Sequence, residues 1–427
     1  MKFFLITVTI LFFSFPAMAE NAYCEALAED EAYKENQSYK KLITGDEGWI
    51  FRTKTDFADD FTINLALEDR LQRLHDAFQK KDIEVVIALL PTRGMVHYDK
   101  IDYVGYDPLK AGRDYLDLAT HLRKIGYIVA APESFSAQTS FFYKQDHHWR
   151  PEGAKLMAMT VAQEIKQLPA YEEIEQMPFR TEKEADIDHT GTFQKFINDV
   201  CGSNIPPEKV PAYKTYSLQG NMLTDQPDAG IVLIGTSNST HQASHANFPG
   251  FLKEAIGADI QNFSVSGGGV DTSMLDWLSS DDYVSTKPKI VIWEIPVYQN
   301  YKGEPFYRQA IPAVYGPCAD KTVVSETIGI NQNKFKTSML EGKNISSKNH
   351  YAYLKFNEFQ GRKFRLTIED EEGNKKPFDF RRSKFYQPNG VYYLDLPQDK
   401  DIPLKEIKGL MPEGASGTVE INICSYS

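Results

Sequence analysis

Three short, almost unbroken apolar runs constrain this chain more than any other feature. They are residues 84–91 (EVVIALLP), 230–236 (GIVLIGT) and 289–296 (KIVIWEIP). A strand with one wet face alternates apolar and polar residues, whereas a strand covered on both faces has no reason to alternate. The runs therefore predict buried strands of a parallel sheet with helices on either side. Helical patterns lie between them. Leu67, Leu71, Leu74 and Phe78 recur on one helix face just ahead of the first run. Pro151 sits where a helix can start, and Leu156, Met159, Val161 and Ile165 follow as an approximate apolar stripe. Alternation of helix and buried strand predicts an α/β layered domain.

Two stretches break this pattern. Residues 168–228 are rich in Glu, Pro, Asn and Asp without sustained periodicity, and they read as a long inserted loop. Beyond residue 317, Lys363–Ile368, Gly390–Leu396 and Gly417–Ile423 look like short strands separated by turn residues such as Pro388-Asn389-Gly390. That punctuation predicts a small β-sandwich over 318–427 after an α/β domain over 20–317.

Lys2, the apolar run Phe3–Phe15 and Ala17-Met18-Ala19 read as a cleaved signal peptide over 1–19, too short to span a bilayer. No membrane insertion is expected. Cys24, Cys201, Cys318 and Cys424 contain no C-x-x-C pair, and in an oxidising compartment such a spread reads as structural disulfides. Of the three pairings, Cys24–Cys201 and Cys318–Cys424 each close within one expected domain. The formal charge is −12. From Cys318 onward there are 17 Lys and Arg against 15 Asp and Glu, a net of +2, so the remaining mature chain carries about −15. An acidic body excludes nucleic acid as an expected partner.

Two segments carry chemistry. Ser237, in Gly235-Thr236-Ser237-Asn238-Ser239, closes a buried strand at the sheet edge where substrates collect in open α/β domains. A serine hydroxyl needs a base, and the base needs orienting. Asp146 and His148, in Gln145-Asp146-His147-His148-Trp149-Arg150-Pro151, supply both, with the carboxylate beside Nδ1 and Nε2 turned to the serine. The Ser237 amide, with Gly267 and Gly268 of Ser266-Gly267-Gly268-Gly269, is the candidate oxyanion hole. Ser239 reads as a local hydrogen-bonding residue. His241 and His245 stand four apart with Asp146, His147, Asp188 and His189 as further ligand candidates, but the pair lacks the glutamate of H-E-x-x-H. No metal and no cofactor are expected. Arg93 is a candidate for a substrate carboxylate or for a structural ion pair.

These segments together resemble the AlgX/AlgJ family of alginate O-acetyltransferases. The likeness rests on G-T-S-x-S after a strand, D-x-H-W-x-P-x-G-A upstream of it, Pro91–His97, Asn247–Leu252 and Lys289–Pro296. The Asp–His element precedes the serine, the reverse of ordinary SGNH hydrolases, and triad chemistry depends on geometry rather than chain order. The resemblance covers roughly residues 40–300, and the β-rich tail resembles the carbohydrate-binding module of the AlgX branch. It implies an SGNH-hydrolase-like fold and transfer of acetyl through Ser237 onto mannuronate hydroxyls of alginate. It also implies a periplasmic location and membrane acetylation and export proteins as partners. An acetyl-esterase and a non-catalytic polysaccharide scaffold are the alternatives. All four tryptophans, Trp49, Trp149, Trp277 and Trp293, lie upstream of the tail. A sugar platform there would therefore use Tyr351, Tyr353, Tyr392 or Tyr393. Arg362, Lys363, Arg365, Arg381, Arg382 and Lys384 are the basic residues available for the polymer.

Overall fold

The computed structural model describes residues 23–133, 140–219, 230–240, 245–299, 301–318, 321–397 and 401–426. The expected signal segment and His241 lie outside these residues.

In chain order the strands are β1 (Leu42–Thr44), β2 (Ile50–Arg52), β3 (Glu84–Leu90), β4 (Ile128–Ala130), β5 (Phe179–His189), β6 (Glu208–Ser217), β7 (Ile231–Ile234), β8 (Gln261–Asn262) and β9 (Ile290–Pro296). The tail adds β10 (Thr322–Gly329), β11 (Lys334–Lys336), β12 (His350–Phe356), β13 (Lys363–Asp370), β14 (Lys375–Arg381), β15 (Val391–Asp395), β16 (Leu404–Leu410) and β17 (Thr418–Ser425). The three apolar runs become β3, β7 and β9, the middle of a five-stranded sheet in the order β4-β3-β9-β7-β8, parallel throughout. Every residue of β7 and β9 is buried, which is why neither alternates.

Helices cover both faces. Leu65–Gln79, capped by the Asn64 side chain on the Leu67 amide, buries Leu67, Leu71, Leu74 and Phe78 as its periodicity requires. Pro151–Ile165 begins at its proline and turns Val161 and Ile165 of the expected stripe inward, but not Met159. It buries Ala154, Met157, Ala158, Val161, Ala162 and Ile165, while Met159 is 57% exposed. Leu156 packs part-buried against the same core, and the alanines let this helix lie against Phe248–Ile256.

The stretch read as a loop holds real elements. β5 and β6 pair antiparallel as a two-stranded ribbon, and the helix Thr192–Cys201 lies between them. Most ribbon residues are accessible, so neither face imposes the period-2 pattern by which strands are recognised. Cys24–Cys201 pins that helix to the N-terminal segment, and Cys318–Cys424 ties the start of the tail to β17.

The tail is a sandwich of two antiparallel sheets, β10-β17-β12-β15 and β11-β16-β13-β14, around their own core. It is fastened to the α/β layers. Arg73 pairs with Asp395 at 2.8 Å, a carboxylate also held within the tail by the Tyr426 hydroxyl at 2.7 Å, and the Gln387 amide donates to Asp276 at 3.0 Å. Tyr351, Tyr353 and Tyr393 belong to the core of this seam, and Tyr392 is fully buried within the sandwich. They are therefore not a sugar platform, and their rings replace water at an internal interface. Arg382 is also buried, bonded to Gln309, the Tyr386 hydroxyl and the Val391 carbonyl. Arg362 spends its guanidinium on the Tyr386 carbonyl, and Arg365 is held by Asp379. Four expected polymer contacts, Tyr351, Tyr353, Arg362 and Arg382, are thus structural, and Arg365 is exposed but charge-paired.

Candidate active site

Residues 141–150 form a tight hairpin, bridged at Phe142 and Trp149 and closed by the Tyr143 amide on the His148 carbonyl. Its tip presents Asp146, His147 and His148. Arg93 holds the hairpin from behind. It is wholly buried and donates to the carbonyls of Ile50, Tyr143 and Lys144 at 2.6, 2.7 and 3.1 Å, and to Asp56 at 2.8 Å. Asp56 also binds Arg52, so two guanidiniums share one carboxylate. Of the two roles considered for Arg93, the structural one is found, because no part of the side chain reaches solvent.

Asp146 accepts five hydrogen bonds. Oδ1 takes those of the His148 amide (3.1 Å), His148 Nδ1 (2.8 Å) and Thr192 Oγ1 (3.0 Å). Oδ2 takes His189 Nε2 (3.0 Å) and the Thr192 amide (3.1 Å). Burial alone would raise this carboxyl, but His148 and the donated hydrogen bonds outweigh it and hold it well below the usual carboxylate range. It also lies at the N-terminus of Thr192–Cys201, where a helix favours an anion. With Nδ1–H given to Asp146, His148 Nε2 accepts, and Ser237 Oγ stands 2.8 Å away. Gly191 makes room for this arrangement, since a Cβ there would lie 2.1 Å from the Gln145 carbonyl oxygen. His147 bonds Thr192 Oγ1 through Nδ1 at 2.8 Å, and burial, then His148, holds it well below the histidine range.

Ser237 is fixed on both sides. The Thr236 amide and hydroxyl and the Ser239 hydroxyl donate to Glu294, at 2.6, 2.9 and 3.1 Å from Oε2. Glu294 is wholly buried on β9, and burial raises its carboxyl against those hydrogen bonds. Ser239 is therefore occupied. Trp149 Nε1 donates to the Asn238 carbonyl at 2.9 Å, so consecutive residues of the hairpin grip consecutive residues of the serine turn.

Among the described residues one group of three, Asp146, His147 and His148, brings donor atoms within 4.8 Å of one another as a metal site would. Both Asp146 oxygens, His148 Nδ1 and His147 Nδ1 already carry hydrogen bonds to protein groups. The segment 264–269 follows β8 beside the serine turn, with the Val265 amide donating to the Gly235 carbonyl at 3.0 Å. Gly267 has a positive φ of 77°, and a Cβ there would meet the Phe385 ring of the sandwich at 2.7 Å.

The model of the AlgX SGNH hydrolase-like acetyltransferase domain matches residues 42–297. The chain belongs to the AlgX family. The Pseudomonas aeruginosa protein named "Alginate biosynthesis protein AlgX" is 30% identical over 96% of this chain and 90% of its own. The solved structure of P. aeruginosa AlgX superposes with a TM-score of 0.82, covering 95% of this chain and all of the other, at 30% identity. A "Probable alginate O-acetylase AlgJ" from Pseudomonas syringae pv. tomato is 27% identical over 61% of this chain and 69% of its own. The central parallel sheet and the antiparallel tail are thus those of an AlgX-family SGNH-like protein.

Within that AlgX-type frame, the structure brings together Ser237, His148 and Asp146, the three residues singled out in the sequence, with three supports that sequence reasoning missed. His189 was weighed only as a metal ligand, and Thr192 left no signal. Glu294 did leave one: a lone carboxylate inside the apolar run KIVIWEIP must find donors when buried.

Proposed function

We propose that the protein is a periplasmic O-acetyltransferase that acetylates mannuronate hydroxyls of alginate through an acetyl-Ser237 intermediate. The observation that carries this reading is the unbroken relay of Ser237 Oγ, His148 Nε2 and Nδ1, and Asp146 Oδ1, with both hydrogen bonds at 2.8 Å. His148 takes the Ser237 proton as Oγ attacks the acetyl carbonyl of a donor, and the resulting imidazolium faces an ionised Asp146. The leaving group departs with that proton. A sugar hydroxyl then gives its proton to His148, attacks the acetyl-enzyme and regenerates Ser237. The Ser237 amide, Gly267 and Gly268 are the proposed oxyanion donors, supported by the pairing of Val265 with Gly235. The names of the AlgX and AlgJ relatives supply the polymer.

We place the catalytic unit at 20–317 and the sandwich at 318–427, supported by a disulfide that closes the latter on itself. Two disulfides fit the oxidising periplasm. No helix among the described residues is long and apolar enough to cross a membrane. In this reading, membrane acetylation proteins of the kind the family resemblance implies deliver the acetyl donor. The test mixes purified protein, a chromogenic acetyl ester and unacetylated mannuronate oligomers. Acetylated oligomer in the mass spectrum is expected. Acetate alone would make the protein an esterase, and neither product would leave a polysaccharide scaffold.

A further inference from the structure

Three imidazoles surround Asp146, and only one of them faces the serine. His148 Nδ1 and His147 Nδ1 stand 2.8 and 3.3 Å from Oδ1, and His189 Nε2 stands 3.0 Å from Oδ2. The His147 and His148 ring centroids are 3.9 Å apart. A modest turn of the carboxylate about its Cβ–Cγ bond would therefore move Oδ1 from one Nδ1 to the other, and that torsion has broad, shallow preferences. On Oδ1 itself only the His148 amide, at 3.1 Å, favours His148. The Thr192 hydroxyl donates to Oδ1 and also takes the hydrogen bond of His147 Nδ1, so it favours neither ring. The remaining restraint acts on the other oxygen, where His189 Nε2 and the Thr192 amide both donate.

His189 is built as a fixed strut. It is the last residue of β5 and is buried, its ring stacks on Tyr143 with centroids 3.9 Å apart and planes within 13°, and the His245 ring meets it edge-on. Tyr143 belongs to the hairpin that carries Asp146, so the strut and its load share one mount. Opposite His189 in the ribbon, Glu208 of β6 accepts the Gln145 amide at 3.0 Å and the Arg150 guanidinium at 3.2 Å. The root of the ribbon thus holds the hairpin on both sides of Asp146. An ionised carboxylate only accepts, so His189 Nε2 must carry a proton, and its tautomer is fixed. A buried structural histidine needs some acceptor. This one takes the oxygen whose capture decides where the other oxygen points.

We propose that His189 is a positioning residue of the reaction, which by holding Asp146 Oδ2 keeps Oδ1 on His148 and away from the neighbouring His147. It touches neither Ser237 nor a substrate and acts only through the carboxylate. With His189 in place, His148 Nδ1–H stays bonded to Asp146, and Nε2 stays aimed at Ser237 Oγ. Without it, Oδ1 divides between two adjacent imidazoles, only one of which can take the serine proton. This deepens the proposed function and rests on its relay through Asp146.

The test uses the full-length protein and a chromogenic acetyl ester. His189→Phe keeps a ring against Tyr143 but removes the donor, and it should lower kcat about tenfold with KM within roughly twofold. His189→Gln sets an amide NH2 as many bonds from Cβ as Nε2 is, and it should bring kcat back to within about threefold of wild type. The low-field proton NMR signal of His148 Nδ1–H, assigned by its absence from His148→Gln, should shift or broaden in His189→Phe and return in His189→Gln. In a His147→Phe background the competing imidazole is gone, so adding His189→Phe should cost no more than about threefold. If His189→Phe does not fold, His189→Asn, whose shorter amide stops short of Asp146, carries the same readings. A kcat within roughly twofold of wild type, with the signal unmoved, overturns the proposal. So does a loss that leaves the signal in place, is equal in the His147→Phe background and is not restored by glutamine, because His189 would then only fill space. Full turnover by Ser237→Ala would remove the relay and this inference with it. An inactive Ser237→Ala beside silent His189 variants would sink this inference alone.

Discussion

Replacing Asp146 by asparagine should separate orientation of the base from its presence. The carboxylate accepts three hydrogen bonds on Oδ1 and two on Oδ2, and asparagine offers one oxygen and an NH2 group that only donates. With its oxygen toward His148, the NH2 faces the Thr192 amide, which cannot become an acceptor. With its NH2 toward His148, it faces the His148 amide and drives Nδ1 to accept, which moves the imidazole proton to Nε2. A protonated Nε2 cannot take the Ser237 proton. Either orientation leaves a buried donor unsatisfied, at about 1–3 kcal/mol, and removes the charge that stabilises the imidazolium. In Ser-His-Asp chemistry the wrong tautomer lowers kcat about 10⁴-fold. For this chain we expect kcat on a chromogenic acetyl ester to fall by about 10³ to 10⁴, with KM within a few-fold. Stability should fall by about 1–3 kcal/mol in urea denaturation. A variant that folds like the wild type and keeps kcat within tenfold would refute the relay through Asp146.

Ser237→Ala should lose at least about 10³ of turnover while Ser239→Ala, whose hydroxyl only serves Glu294, keeps it within roughly tenfold; the reverse order in the ester assay would reassign the nucleophile. Burial, then Arg93, pushes His97 down to about 3, against roughly 6.5 in an unfolded chain. The unfolded state therefore binds the extra proton between those values. The His97 contribution is complete above about pH 6.5 and is lost as pH falls toward 3, at up to about 1.4 kcal/mol per unit. His97→Gln should flatten that slope in urea titrations at pH 7, 6 and 5, and an unchanged slope would contradict it. Non-reducing peptide maps should show Cys24 with Cys201 and Cys318 with Cys424, and reduction should cost about 2–5 kcal/mol per bridge; a Cys201–Cys318 peptide would overturn the pairing.

The sequence exposed those parts of the molecule whose environment is uniform. β3, β7 and β9 are buried on both faces, so their composition alone marks them. The ribbon β5–β6 has no buried face to impose a period, and it was read as a loop. The site divides the same way. Asp146 and His148 are two residues apart and announce themselves, whereas His189 and Thr192 meet Asp146 only through the tertiary fold. The tail tyrosines and Arg382 misled for a related reason. Aromatic and basic residues suit a sugar surface and a domain seam equally, and only burial separates the two.

The order of the proposed catalytic parts along the chain has a consequence for how activity would be acquired. His148 and Ser237 are 89 residues apart, and the bridge between Cys24 and Cys201 encloses the former but not the latter. In a chain that emerges N-terminus first, the acid–base arm can be stapled before its nucleophile exists. β7 then has to wait for both of its neighbours, β8 and β9, because each is synthesised after it. Glu294, which braces the serine turn, arrives with the last of these. Such long-range pairing forms slowly. On the proposed function, the base can thus be mounted before it has anything to activate, and acyl chemistry begins only when the sheet is finished.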